Sequence, residues 1–300
     1  TAAAELEKLR DEHPIVERIL EYRELAKLMS TYIEPFPALI GPDGRIHTTS
    51  RQVGTATGRL SSVDPNLQNI PTRTALGQQF RGAFVAQPGF TLLSLDYSQL
   101  ELRIVAHAAQ DATMMEAFAQ GQDIHTRTAS EVFGIAPDQV TRDMRRQAKA
   151  LNFGIIYGMG VLGFARSAGV GRAQAKEFMQ SYFERFAGVA QFMEHQKQES
   201  THTGATQNLL GRKRPLPHIN GSMPQLVAQA QRIAINHPIQ STGADIMKKA
   251  MIAIDTYLAD NNLSDKVRLL LQVHDELVFE VHTDHMPAIV APLIDLMEHT

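Results

Sequence analysis

Residues 267–281 read VRLLLQVHDELVFEV, two apolar runs on either side of His274-Asp275-Glu276. Runs rich in Val, Leu and Phe that flank a short polar turn predict two antiparallel strands joined by a tight hairpin, with acids at its tip. Upstream, FTLLSLDY at 90–97 follows Pro88-Gly89 and predicts a buried strand that ends on an acid, Asp96. Helical periodicity fills most of 99–119, 123–134, 141–158 and 172–200. The order strand, long helical insert, hairpin predicts an α+β protein in which a helical subdomain projects from an antiparallel sheet.

Working outward, residues 3–30 predict helix interrupted near His13-Pro14, and Pro35, Pro37, Gly41 and Pro42 end that pattern. Residues 45–71 are polar and turn-prone. Residues 204–221 predict a loop-rich passage carrying the basic run Arg212, Lys213, Arg214, and two further helical stretches are expected on either side of Pro238. No internal repeat or low-complexity tract is present.

The 300 residues are 43% apolar and 20% charged, enough for a sizeable core. Absence of cysteine excludes thiol catalysis, disulfide frameworks and Cys-based zinc sites. No apolar run reaches the roughly 20 residues that a membrane span needs, and residues 1–10 lack a signal-peptide core. An intracellular protein is expected. The formal charge of −3 argues mildly against a nucleic-acid binder, but local clustering of charge outweighs the sum.

Asp96 and Asp275, each at a strand end, can together clamp divalent cations through oxygen ligands. Two such ions about 4 Å apart suit phosphoryl transfer. Either acid alone is more ordinarily a turn residue. A second pattern adds weight: Arg145, Lys149, Phe153 and Tyr157 are spaced by four, so on a helix each turns only about 40° from the last. Two cations followed by two rings can hold a triphosphate and stack on a base. An amphipathic helix with a solvated basic side would show the same spacing. No G-x-x-x-x-G-K-[ST] motif occurs, so no P-loop is available for a triphosphate.

Three segments carry a specific resemblance: DYSQLELR at 96–103, RRQAKALNFGIIYGMG at 145–160 and VHDELVFE at 273–280. They resemble, in order, the three polymerase motifs of the family A DNA polymerases. TGRLSSVDPNLQNIP at 57–71, DIHTRTASEVFG at 123–134 and RIAINHPIQSTGADIMKKAMI at 232–252 match in the same order, so the likeness covers nearly the whole chain.

The resemblance implies a right-hand fold with an antiparallel palm sheet, a mainly helical fingers subdomain and little of the thumb. Residues 1–105 would hold the thumb-junction helix and first part of the palm, 106–231 the fingers, and 232–300 the second part of the palm. It implies template-directed DNA synthesis from deoxynucleoside triphosphates with release of pyrophosphate, using two Mg2+ ions, with Mn2+ as a substitute. Asp96, Tyr97 and Asp275 would hold the metals and Glu276 would be an auxiliary acid. Arg145, Lys149, His125 and Gln99 would bind the nucleotide, with Lys149 also a proton donor to pyrophosphate. Phe153 would pack on sugar and base, Tyr157 beside the template, and Glu101 against the 2′ position as a gate against ribonucleotides. Arg59, Asn236, Gln240 and His274 would touch the primer–template near its terminus, and donors there can check geometry without reading sequence. Arg212 and Arg214 would meet the DNA backbone. The implied partners are primer–template DNA and deoxynucleotides, with no membrane, and the implied state is a cytoplasmic, nucleoid-associated monomer.

Gly160, Pro215, His237 and Ser241 depart from the family pattern without removing a catalytic group. The chain also begins near the thumb junction and stops before strands that complete the palm in relatives, so a fragment of a longer protein is expected. Alternatives are a weakly active or silent DNA-binding core, a single-subunit RNA polymerase-like enzyme, or, from the acids alone, a two-metal nuclease.

Overall fold

The computed structural model describes residues 3–7, 9–71 and 74–300. At the amino end, α1 (Ala3–Glu7) and α2 (Ile15–Leu28) are separated around His13-Pro14 as the sequence predicts. Pro14 stands just ahead of α2, where its missing N–H costs nothing. Irregular turns at Met29–Ile33 and Phe36–Leu39 place Tyr32 and Phe36 against Phe80, with ring centroids 5.4 Å apart for each contact.

The polar stretch 45–71 holds a small antiparallel pair that the sequence did not predict, β1 (Thr49–Arg51) with β2 (Ser61–Val63). The Ser62 hydroxyl stabilises its far end by accepting from the Leu67 amide at 2.8 Å. Then follow α3 (Ala75–Arg81) and β3 (Phe90–Asp96).

The helical insert comprises α4 (Leu100–Ala109), α5 (Ala112–Ala119), α6 (Ile124–Phe133), α7 (Arg142–Ile156), α8 (Val161–Ala168), α9 (Arg172–Arg185) and α10 (Ala187–Thr203). The helical stretch expected over 99–119 is made of two helices. Gln110 turns left-handed at φ 48°, and Asp111 caps α5 by accepting from the Met114 amide at 3.1 Å. Leu102, Met114, Ile124, Ile155, Phe164, Tyr182 and Phe186 are buried in one shared core of this insert.

The passage 204–221 is loop-rich as expected but contains a small hairpin that the sequence did not predict: β4 (Ala205–Gln207) pairs with β5 (Lys213–Pro215). The two helices expected about Pro238 are instead a single helix, α11 (Pro224–Asp260). Pro238 cannot donate to the Ala234 carbonyl four residues back. The Thr206 hydroxyl of β4 donates there instead, at 3.1 Å, so the hairpin repairs the defect and the helix continues.

Last come β6 (Val267–Val273), β7 (Glu276–His282) and α12 (Met286–Glu298). The sheet order is β3-β7-β6, antiparallel throughout. Leu277, Phe279 and Val281 alternate onto one face of β7, fully buried with Ile254 of α11 and Leu293 of α12. Each such side chain contributes roughly 1.5–3 kcal/mol of transfer free energy. Glu280 lies on the opposite face, also buried, held by Arg45, Arg268 and the Gln87 amide. Among the described residues, no helix is long and apolar enough to cross a membrane.

Candidate active site

β3 and β7 pair in register so that Asp96 lies directly opposite Glu276. One residue on, the Tyr97 amide donates to the Asp275 carbonyl at 3.0 Å. The turn between β6 and β7 is only His274-Asp275, with His274 left-handed at φ 55°. Of the three predicted metal ligands, Asp96 and Tyr97 therefore lie at the end of β3 beside Asp275 in the β6–β7 turn. The Tyr97 ring packs between the two main cores, and its hydroxyl donates to the Met297 carbonyl at 2.6 Å. Burial pushes that phenol up to about 12.

The acids open into a cleft of about 280 Å³ lined by Asp96, Tyr97, Gln99, Leu100, Glu101, His125, Arg145, Lys149, Phe153 and Asp275. Each comes from a different local cause. Gln99 turns left-handed at φ 56° to start α4, which brings Glu101 back over the strand end. Arg145, Lys149 and Phe153 succeed one another along α7. His125 sits in the first turn of α6, whose N-cap is Asp123.

Charge in the cleft is divided between two walls. Burial raises the Asp96 carboxyl, and the charge of Glu276 adds to this. Burial also raises Asp275, followed by repulsion from Glu101; Arg59 opposes the shift and Asp96 adds to it. On the facing wall, Arg145 makes two hydrogen bonds to Asp123, at 2.6 and 3.1 Å. Burial alone would raise Asp123, but the Arg145 and Thr126 bonds outweigh it and bring it to about 2. His125 is 3% exposed, and burial lowers it to about 4, with the charges of Arg145 and Lys149 adding to the shift against Asp123.

Other predicted residues lie around this cleft. Glu276 is turned to the Ser94 hydroxyl, which donates to it, and does not line the cleft. Tyr157 follows the end of α7 and donates to Glu101 at 2.8 Å; burial and that acid's charge both raise its phenol. Arg59 pairs with the other oxygen of Glu101 at 2.6 Å. Gly158 then turns left-handed, and a Cβ there would meet the Arg232 Cγ at 2.8 Å. Arg59, Gln272, His274 and Asp275 border a second, small hollow with Lys248. Asn236 and Gln240 occupy successive turns of α11, half-buried, and the Asn236 Oδ1 has no partner among the described residues. Arg212 is held by Asp245 at 2.6 Å, and Arg214 is half-buried in β5.

Several supporting residues were missed from the sequence: Asp123 behind Arg145, Asp245 behind Arg212, and the fully buried Thr128 and Asn152 behind His125. For Asp123 a signal existed, since Asp three residues before Thr126 at a helix start is a cap pattern. The others are ordinary helix or strand residues in sequence.

Among the described residues no group of three or more His, Cys, Asp or Glu is arranged around one point for a metal. Magnesium needs only one or two carboxylates, since phosphate and water complete its octahedron. Two neighbouring carboxyls that are both raised, Asp96 by burial and Glu276, and Asp275 by burial, Glu101 and Asp96, form a place where a divalent cation relieves the repulsion, so the residues fit.

The model of DNA polymerase family A matches residues 1–300. The chain is 46% identical to thermostable DNA polymerase I of Thermus aquaticus, over 99% of this chain and 36% of that protein. It is also 46% identical to DNA polymerase I of Pseudomonas aeruginosa, over 99% of this chain and 32% of that protein. The chain thus spans about a third of the length of these relatives. Among solved structures, the POL domain of Pol1 from M. smegmatis, in complex with DNA primer-template and dNTP, superimposes with a TM-score of 0.94 at 41% identity. That match covers 99% of this chain and 52% of the other. The chain belongs to DNA polymerase family A.

Proposed function

We propose that this chain carries out template-directed DNA synthesis, adding deoxynucleoside triphosphates to a primer 3′-hydroxyl and releasing pyrophosphate. The observation that carries the proposal is one cleft with two faces: Asp96 and Asp275 on strand ends, and Arg145, Lys149, Phe153 and His125 on helices opposite them. Carboxylates without cations would repel a triphosphate, and cations without carboxylates would bind it without organising a metal. The pair of faces suits a metal-bound triphosphate.

In this reading Arg145 and Lys149 hold the phosphates, and Lys149 hands a proton to the departing pyrophosphate. His125 and Gln99 add hydrogen bonds, and Phe153 packs on sugar and base. Glu101 crowds the 2′ position, held there by Arg59 and Tyr157. Asp96 and Asp275, with Tyr97, hold two Mg2+ ions, and Glu276 is an acid in reserve beside them. When bound, such ions neutralise charge on the attacking and leaving oxygens. Arg59, Asn236, Gln240 and His274 contact the primer–template close to its end, Tyr157 lies by the template base, and Arg212 and Arg214 meet backbone phosphates. Residues 1–105 serve as the thumb-junction helix and first part of the palm, 106–231 as the fingers and 232–300 as the second part of the palm, in a cytoplasmic, nucleoid-associated monomer.

Primer extension with magnesium and four deoxynucleotides, run beside Asp275→Ala, tests the proposal. Extension by the wild type and none by the variant is expected. Equal extension by both would sink it.

A further inference from the structure

Thr128, Asn152 and His125 form a polar cluster where α6 crosses α7, and their exposures are 0%, 0% and 3%. Asn152 Nδ2 lies 3.1 Å from His125 Nδ1 and 3.0 Å from Thr128 Oγ1, while the Thr128 hydroxyl donates to Asn152 Oδ1 at 3.1 Å. A buried amide placed in an otherwise apolar seam is costly unless its bonds are made. Here they are made to the one histidine that lines the cleft.

An amide nitrogen can only donate. With Asn152 Nδ2 directed at it, His125 Nδ1 must carry the lone pair, so the ring proton resides on Nε2. No hydrogen bond from Nε2 is formed among the described residues, which leaves that nitrogen for a ligand. The groups facing the ring are Asp123, Arg145 and Lys149, and burial with the two cations keeps it uncharged at neutral pH. The opposite tautomer would turn a lone pair toward an anionic ligand and, with the amide oriented as it is here, lose its bond to Asn152.

We propose that Asn152 is a positioning residue: its amide holds His125 in the tautomer that carries the proton on Nε2, so that His125 meets the triphosphate as a hydrogen-bond donor. This rests on the reading of the cleft as a triphosphate site. Thr128 restrains the amide from behind. Asn152 touches no substrate and acts through the ring alone, as second partners of functional histidines do.

The test has two arms that fail separately. In the first, the full chain is labelled with 15N-histidine and its long-range 1H–15N spectrum is recorded, with His125 assigned by the peak lost in His125→Ala. A wild-type ring protonated on Nε2 and bare on Nδ1 is expected. In Asn152→Asp, whose carboxylate only accepts, Nδ1 should gain a proton. A wild-type proton on Nδ1, or an unprotonated Nδ1 in Asn152→Asp, overturns the proposal whatever the kinetics show.

The second arm is nucleotide KM in primer extension. His125→Ala should raise it about tenfold, the loss of one hydrogen bond to a charged acceptor. Asn152→Leu should raise it by a smaller factor with kcat within about twofold, as lost uniform binding does. The double variant should be no worse than His125→Ala, because Asn152 acts only through the ring. Additive losses would assign Asn152 a general structural role and overturn the proposal. An unchanged KM in His125→Ala alone would instead overturn the triphosphate reading of His125, with the spectrum still deciding the tautomer.

Discussion

Arg59 and Glu101 form an ion pair at 2.6 Å at the edge of the cleft, and the second oxygen of the same carboxylate accepts from Tyr157 at 2.8 Å. Glu101 is 6% exposed, so the pair fixes a buried acid in the lining of the cleft, where the proposed function puts the incoming sugar. A side chain held from both oxygens cannot swing aside for a 2′-hydroxyl. Glu101→Ala should raise ribonucleotide incorporation at least about tenfold, the range for one steric contact in a specific pocket. Competition between ribo- and deoxynucleotides measures this, and unchanged discrimination would remove the gate from Glu101.

Phe153 lines the cleft with its ring centroid 5.8 Å from that of His125. Its ring presents an apolar surface to the cleft and no hydrogen-bond group, and in the proposed function it packs on the nucleotide. A dideoxynucleotide lacks a 3′-hydroxyl, and a ring hydroxyl here could take that group's place. Phe153→Tyr should therefore improve dideoxynucleotide use about tenfold or more, the worth of one hydrogen bond to a charged group, while leaving deoxynucleotide use nearly unchanged. Chain-termination ratios read the effect; equal ratios in both proteins contradict it.

The β6–β7 hairpin was legible because its strands are long, apolar and closed by a two-residue turn, which local pattern alone specifies. The small hairpin β4–β5 was not, since three-residue strands carrying Lys213 and Arg214 show no alternation. Pro238 misled because the rule that proline ends a helix assumes the freed carbonyl finds no partner. Thr206, 28 residues away, supplies one. The cleft residues on α7 were visible from their spacing of four. Their supports were not: Arg145 to Asp123 spans 22 residues and Arg59 to Glu101 spans 42, so only tertiary folding brings them together.

Asp275 is half-buried beside Glu101 and Asp96, and its carboxyl is raised. A carboxyl with a raised folded-state pKa binds its proton more tightly folded than unfolded. Its contribution is most favourable below the ordinary Asp range and is lost as pH rises through the folded value. At neutral pH the ionised group thus costs stability. Asp275→Asn should raise Tm by about 1–3 °C at pH 7, and less at pH 4, while abolishing primer extension. Added magnesium should narrow the gap by stabilising the wild type. A variant less stable than wild type at pH 7 would show that Asp275 is a structural acid.

Thr206 and Pro238 supply the last test, because one hydrogen bond joins their roles. Pro238 leaves the Ala234 carbonyl without its helical donor, and Thr206 donates to it at 3.1 Å in a buried seam. Thr206→Val keeps shape and removes the donor, leaving the carbonyl unsatisfied. The expected loss is roughly 1–3 kcal/mol, seen as a Tm lower by several degrees. In a Pro238→Ala background, residue 238 regains an N–H that reaches the same carbonyl, so Thr206→Val should cost much less there. A double-mutant cycle by thermal denaturation reads the difference. Equal losses in both backgrounds would mean that Thr206 stabilises the hairpin by packing, and that α11 runs through Pro238 for another reason.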